Sequence, residues 1–144
     1  MSKRTSPALQ IIKILVKPST LAEHHRRCEV LFVAAREAAG EGSAELVTAS
    51  VSALREALLS HFRYEEQHIF PLYEQASGIE GATEWLCAQH DDMRGMLWLL
   101  GSVSPETDRQ YYQTELAALQ AAFDTHAAEE ESRMYPAIEP LLGR

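Results

Sequence analysis

The chain has 144 residues and a formal net charge of −8, and its length suits one domain. No face rich in lysine and arginine accompanies this acidic balance, which argues against nucleic acid as a partner. Alanine, leucine and glutamate are abundant and glycine is scarce, so the composition predicts an all-α fold. No cofactor fingerprint, Gly-rich phosphate loop or nucleophile motif is present, which argues against turnover of an organic substrate.

Residues 1–19 form a basic and apolar arm ahead of the first predicted helix. Its apolar run, residues 8–16, is interrupted by Lys13 and is too short to span a bilayer. No small-residue cleavage site follows the run, as a secretory signal would require. We therefore expect a cytoplasmic protein without membrane contact, whose arm packs on its own bundle or on a second subunit of a homodimer.

Four predicted helices form one bundle domain over residues 20–144. Thr20 and Glu23 have the spacing of a capping box, so the first helix is predicted to begin near Thr20. It is predicted to end at the glycines at 40 and 42. The second helix begins near Ser43 and runs to about residue 77, and the third covers about 82–100.

The fourth helix follows Ser104 and Pro105, which favour an N-cap and a first turn, and it reaches about residue 142. Short connections predict an up-down-up-down antiparallel four-helix bundle. Pro71 and Pro136 each remove one backbone donor, so we expect a kink or short break at residues 69–72 and a second kink at Pro136.

The two cysteines are expected to be free thiols. Cys28 follows His25 by three residues, whereas Cys87 precedes His90 by three residues. In two parallel helices they would lie about 9 Å apart along the axis, beyond the reach of about 7 Å of a disulfide.

One motif occurs twice, with an offset of 65 residues. A histidine, two adjacent glutamates, an aromatic residue and a proline recur in register: His61, Glu65, Glu66, Phe70 and Pro71, then His126, Glu130, Glu131, Tyr135 and Pro136. The same offset relates His25 to His90, each 36 residues before the histidine of its own motif. The chain is therefore a duplicated helix pair, which predicts pseudo-twofold symmetry.

The histidine and the first glutamate of each motif are four residues apart, about one helical turn, so both side chains can point to a common centre. Both pairs lie in stripes of leucine, isoleucine and phenylalanine, and so do His25 and His90. A single histidine on an apolar face is more often a hydrogen-bonded core residue than a ligand. Four buried histidines and two buried carboxylates together are costly unless they bind metal, so the sequence predicts a metal site.

These motifs resemble those of the hemerythrin-like, or HHE cation-binding, family over residues 20–142. The resemblance implies a four-helix bundle around a non-haem centre of two iron ions with an oxo or hydroxo bridge, and it makes manganese or zinc the less favoured metals. It also implies the metal ligands, which are His25 and His61 for one iron, His90 and His126 for the other, and Glu65 and Glu130 as bridges.

Two positions depart from the family's oxygen carriers, which have a further histidine on the third helix and a bridging aspartate five residues after the fourth-helix histidine. Arg94 and Glu131 occupy these positions here. The first departure leaves one coordination position open on each iron, and the second leaves Glu130 and Glu131 as alternative bridges. Repeat register with Glu65 favours Glu130.

Polar residues beside these ligands receive supporting roles. His24 lies one position off the buried stripe, which favours a solvent-facing or hydrogen-bonding role over ligation. Arg94 is interpreted as a rim residue or as a partner for a glutamate. The other neighbouring glutamates are interpreted as solvated charges, with hydrogen bonds to the ligating histidines as the less favoured alternative: Glu66, Glu129 and Glu131.

Two functions of different class are consistent with the sequence. The leading one is an iron protein that binds or reduces dioxygen, nitric oxide or peroxide, or that handles iron under oxidative or nitrosative stress. The alternative is a regulatory or sensory bundle whose metal occupancy alters a partner interface. Whether the protein is an enzyme stays open at this stage.

Overall fold

The structure is a computed structural model that describes residues 18–141 of the chain. In chain order its elements are α1 (Pro18–Glu41), α2 (Ala44–Tyr64), a π-helical turn (Glu65–Ile69), α3 (Phe70–Ser77), α4 (Glu84–Gly101), α5 (Arg109–Glu129), a second π-helical turn (Glu130–Met134), α6 (Tyr135–Ile138) and a 3₁₀ turn (Glu139–Leu141). The part of the chain that the structure describes contains no strand.

The helices form the four rods of a bundle, because each π-helical turn joins the two helices that flank it into one rod. α1 packs against α2 and α5, and α4 packs against α5 and α2. The short α3 and α6, which end the second and fourth rods, pack against each other. The predicted all-α four-helix bundle is confirmed.

Some helix ends lie where the capping residues of the sequence predict them, and others do not. Ser43 caps α2, since its Oγ accepts the Leu46 N–H at 3.1 Å, and the left-handed Gly78, with φ of 69°, ends α3. α1 already begins at Pro18, so Thr20 lies inside the helix and the predicted capping box is wrong. A proline at the first helical position fits because its missing N–H has no helical acceptor there. The predicted arm otherwise lies outside the described residues.

The predicted start of the fourth rod at Ser104 is also wrong. The N-cap of α5 lies four residues later, at Asp108, whose carboxylate accepts the Tyr111 N–H at 2.9 Å. The Ser104 carbonyl instead accepts the N–H groups of Thr107 and Asp108, which forms a tight turn. Proline after serine suits the second position of a turn as well as the first turn of a helix, so the pattern fits both.

The two prolines are accommodated by π-helical turns rather than by simple kinks. Each turn lies just before its proline, at 65–69 and 130–134, so the predicted break at 69–72 is placed a few residues too late. The N–H that follows each turn donates five residues back, from Phe70 to the Glu65 carbonyl and from Tyr135 to the Glu130 carbonyl. A widened turn relieves the clash between a proline ring and the preceding carbonyl.

The core consists of two apolar clusters separated by a polar layer. The larger cluster fills the end of the bundle near the α1–α2 connection and includes Phe32, Leu58 and Phe123. The smaller one fills the end at which α3 and α6 meet and includes Leu72 and Ile138. The duplicated histidines and glutamates lie between the two clusters.

Two further observations concern the cysteines and membranes. Cys28 and Cys87 are both free, as predicted, with Cys28 fully buried in the larger cluster. None of the described helices is long and apolar enough to cross a membrane.

We predict that Asp108→Ala lowers the free energy of unfolding by about 1 kcal/mol, because it removes the acceptor at the start of α5. Ser104→Ala is the matched control, and it should cost less, since the Ser104 hydroxyl accepts only the Glu106 N–H, at 3.3 Å. Denaturant unfolding of both variants, prepared with equal metal content, measures the difference. A larger loss for Ser104→Ala would mean that the helix starts where the sequence pattern put it.

Candidate metal centre

Six side chains meet in the polar layer, and we call them the inner residues: His25, His61, Glu65, His90, His126 and Glu130. α1 and α2 supply the first two, α4 and α5 supply His90 and His126, and each carboxylate is the first residue of a π-helical turn. All six are between 0% and 3% exposed. The structure therefore brings together every residue that the sequence predicted as a ligand.

The inner residues form two sets that share both carboxylates. The first set is His25, His61, Glu65 and Glu130, and the second is Glu65, His90, His126 and Glu130. In each set one donor atom per residue lies within 4.8 Å of the others. Each set draws its histidines from one repeat and its carboxylates from both repeats. Glu130, rather than Glu131, occupies this shared position.

The Nε2 atoms of the histidines point to the carboxylates. His61 Nε2 and His90 Nε2 both lie 3.1 Å from Glu65 Oε1. His25 Nε2 and His126 Nε2 both lie 3.2 Å from Glu130 Oε1. Donor atoms bound at right angles to one metal ion, with bonds of about 2.1 Å, lie about 3 Å apart. The observed separations match that spacing.

The opposite ring nitrogens face outward to a second group, which we call the outer partners: His24, Glu66, Gln89 and Glu131. His25 Nδ1 lies 2.9 Å from Glu131 Oε1, and His90 Nδ1 lies 2.9 Å from Glu66 Oε2. These two carboxylates are repeat equivalents, and each belongs to the other repeat from the histidine that it contacts. For Glu66 and Glu131 the less favoured interpretation therefore applies, because each orients a buried histidine.

The remaining two histidines have neutral outer partners. His126 Nδ1 lies 2.6 Å from Gln89 Oε1, and His61 Nδ1 lies 3.2 Å from His24 Nδ1. Gln89 is the repeat equivalent of His24, so the same position supports a histidine in both halves. The supporting role predicted for His24 agrees with this contact.

These contacts fix the protons of the site. The carboxylate and amide oxygens accept from Nδ1–H, so the Nε2 lone pairs of His25, His90 and His126 are directed to the centre. Burial lowers the pKa of His126, which favours neutral imidazole. Burial opposes ionisation of Glu65, but its close contacts with His61, His126 and His90 outweigh this effect, so the pKa of Glu65 lies well below its usual range. Neutral imidazole and ionised carboxylate are the forms that bind metals.

Several inner atoms lack a hydrogen bond among the described residues. Both Glu130 oxygens and His61 Nε2 are fully buried without a partner of good geometry. Buried polar atoms are rarely left unsatisfied, and a site for an ion is one recognised reason. The donor set therefore fits a metal cation, since only a cation can satisfy converging lone pairs and carboxylate charge together.

A sequence profile decides the family. The profile of the hemerythrin HHE cation binding domain matches residues 17–138, most of the chain. The chain belongs to the hemerythrin HHE family. No curated protein and no solved structure gives a significant match.

Arg94 replaces the further histidine of the hemerythrin oxygen carriers, and its side chain is held away from the inner residues. Its guanidinium forks onto Glu66, with contacts of 2.6 and 3.0 Å, and also reaches Asp91 at 3.0 Å. Because Glu66 also contacts His90, these residues form a chain from the rim to the centre. Arg94 is a partner for a glutamate, as the sequence predicted.

Two features of this hemerythrin-family site escaped the sequence pattern. The repeat offset makes Gln89 the equivalent of His24, yet its contact with His126 depends on the relative position of α4 and α5. Tyr135 was recognised only as the aromatic residue of the motif. Its ring stacks on His25 at a centroid distance of 5.6 Å, and its hydroxyl lies 3.1 Å from His25 Nε2. The repeat offset indicates both positions but not their contacts.

A polar groove of about 160 Å³ between α1 and α2 leads from the surface to the inner residue His61. Its walls are His24, Arg27, Cys28, Glu56, Ala57 and Ser60. The repeat-equivalent groove between α4 and α5 is lined by Gln89, Asp92, Met93, Ala121, Ala122 and Thr125. Each groove is lined by an outer partner, but an inner histidine lines only the first of these two grooves.

We predict that Glu130→Ala removes most bound metal, whereas Glu131→Ala keeps the metal-to-protein ratio and weakens affinity by about 10–100-fold. The reason is that Glu130 is buried at the centre, whereas the Glu131 side chain is 55% exposed and contacts only the outer nitrogen of His25. Metal analysis and competition with a chelator measure both effects, and Glu129→Ala is the control. Loss of metal in Glu131→Ala but not in Glu130→Ala would mean that Glu131 is the central carboxylate.

Proposed function

We propose that this hemerythrin-family chain holds two iron ions and binds or reduces a small ligand, such as dioxygen, nitric oxide or peroxide, or handles iron under oxidative or nitrosative stress. In this proposal His25 and His61 bind one iron, His90 and His126 bind the other, and Glu65 and Glu130 bridge them. The observation that carries the proposal is the pair of four-residue sets that share two buried carboxylates.

The donor set favours a dinuclear iron centre over structural zinc. Structural zinc sites are usually compact sets of four ligands that include cysteines. Here two carboxylates are common to both sets, and neither set includes a cysteine. Burial raises the pKa of Cys28 to about 12. A pair of iron ions supplies redox chemistry and coordination positions for small ligands.

The chain's own residues would define what reaches those positions. The four histidines provide two nitrogens to each set, and the bridging carboxylates provide one oxygen from each repeat. That count leaves room on each ion for a solvent-derived bridge and one further ligand when coordination is octahedral. The apolar clusters above and below the layer exclude bulky polar substrates. These features support binding of a diatomic molecule or peroxide rather than of an organic substrate.

The regulatory alternative would use the basic and apolar arm, residues 1–19, as its partner surface. Residues 1–17 lie outside the described part of the chain, and no described feature favours that alternative. We therefore retain the small-ligand function as the proposal.

The proposal predicts two irons per chain in protein purified in air, with near-ultraviolet absorption from oxo-to-iron charge transfer. His61→Ala and His126→Ala should each lose much of the iron, since each removes one nitrogen donor from its set. His68→Ala is the control, because His68 is half-buried beside Tyr64 and belongs to neither set. Metal analysis and absorption spectra measure these outcomes, and exposure of the reduced protein to dioxygen or nitric oxide tests ligand binding.

Full retention of iron in both inner variants would contradict the ligand assignment. A wild-type protein that stays colourless and takes up no iron after reconstitution would overturn the proposed function.

A further inference from the structure

The two halves of the centre differ at one aromatic position. Phe70 and Tyr135 are repeat equivalents, and each directly follows a π-helical turn. Phe70 stacks on His90 with a centroid distance of 5.2 Å and an interplanar angle of 23°. Tyr135 stacks on His25 with corresponding values of 5.6 Å and 27°. The ring therefore has the same place in both halves, as a wall against the first histidine of each repeat.

The Tyr135 hydroxyl is an addition that the other half lacks. Its oxygen lies 3.1 Å from His25 Nε2 and 3.5 Å from Glu65 Oε2. Both of these are inner atoms of the first set. A phenol hydroxyl thus projects into the space between a nitrogen donor and a bridging carboxylate, and the corresponding space beside His90 faces a phenyl ring.

Metal binding would change the partners of this hydroxyl. Once the His25 Nε2 lone pair is committed to a metal, it can no longer accept the Tyr135 proton. The Glu65 oxygen, at 3.5 Å, is too distant for a strong hydrogen bond. A buried donor without a good acceptor is unfavourable, so a small ligand with an oxygen or nitrogen acceptor would satisfy it.

We propose that the Tyr135 hydroxyl donates a hydrogen bond to an exogenous ligand in the half formed by His25 and His61, which makes this half the ligand-binding half. This inference rests on the proposed function, and it adds that the two metal positions are not equivalent. The polar groove that reaches His61 opens on the same half.

A donor role fits the surroundings of Tyr135 better than direct metal ligation. The similar placement of Phe70 shows that the ring does not need an oxygen–metal bond to hold it.

The test uses azide as the probe and full-length, iron-loaded, oxidised protein. Tyr135→Phe copies the opposite half, so it should keep two irons per chain and the helical circular dichroism while azide affinity falls about tenfold, as expected for one lost hydrogen bond. In wild type an azide vibration in the resonance Raman spectrum should shift in deuterated solvent, and this shift should vanish in Tyr135→Phe.

Phe70→Tyr is the matched variant, because it installs the hydroxyl in the second half. It should retain the wild-type site and add a second azide equivalent at the second half. The double exchange, Tyr135→Phe with Phe70→Tyr, should restore one hydrogen-bonded azide.

Three results would overturn the inference. Equal azide affinity and equal solvent-isotope shifts in wild type and Tyr135→Phe would mean that the hydroxyl does not contact the ligand. A visible phenolate-to-iron band that Tyr135→Phe abolishes would make Tyr135 a ligand instead of a donor. Iron-loaded wild type that binds no azide would overturn it as well, whereas wild type that binds no iron would overturn the proposed function on which it rests.

Discussion

The structure depends on the cost of burying carboxylates and imidazoles inside an apolar bundle. Glu65 and Glu130 have no exposed surface, and apolar clusters lie on both sides of their layer. Water cannot solvate these groups there, so their charge must be balanced from within. The histidines offer lone pairs rather than positive charge to the centre, which leaves a cation as the natural complement. The fold thus encloses a binding site whose stability is coupled to its occupant.

Two of the outer partners, Glu66 and Glu131, join the two repeats. Glu131 of the second repeat orients His25 of the first, and Glu66 of the first orients His90 of the second. Each histidine consequently depends on the correct docking of the opposite helix pair. Arg94 extends one of these links to the surface, where its paired carboxylate is 27% exposed. Geometry at the centre is therefore a property of the whole bundle and not of either half.

Sequence reasoning identified the bundle and the inner residues because both are encoded in periodicity. His61 and Glu65 share a helix face by spacing alone, and the repeat then located their equivalents. Contacts between rods could not be predicted from spacing, because Gln89 and Glu131 contact histidines of another helix. The predicted helix start was wrong at Ser104, because the same local pattern fits both a turn and the first turn of a helix. The difference between Phe70 and Tyr135 was visible in the sequence, but its meaning required the position of a single oxygen atom.

The π-helical turns determine how the residues of the smaller cluster and the two aromatic rings are rotated about the helix axis relative to the inner residues. A plain α-helix through the same residues would rotate everything after Glu65 or Glu130 by about 100°. Phe70 and Tyr135 would then swing off their histidines, and Leu72 and Ile138 would leave the smaller cluster. The rotational setting of the rod ends thus depends on keeping the turns wide, and the prolines that follow them cannot supply the N–H that would tighten them. The missing N–H of each proline thus helps to determine which aromatic ring faces which histidine.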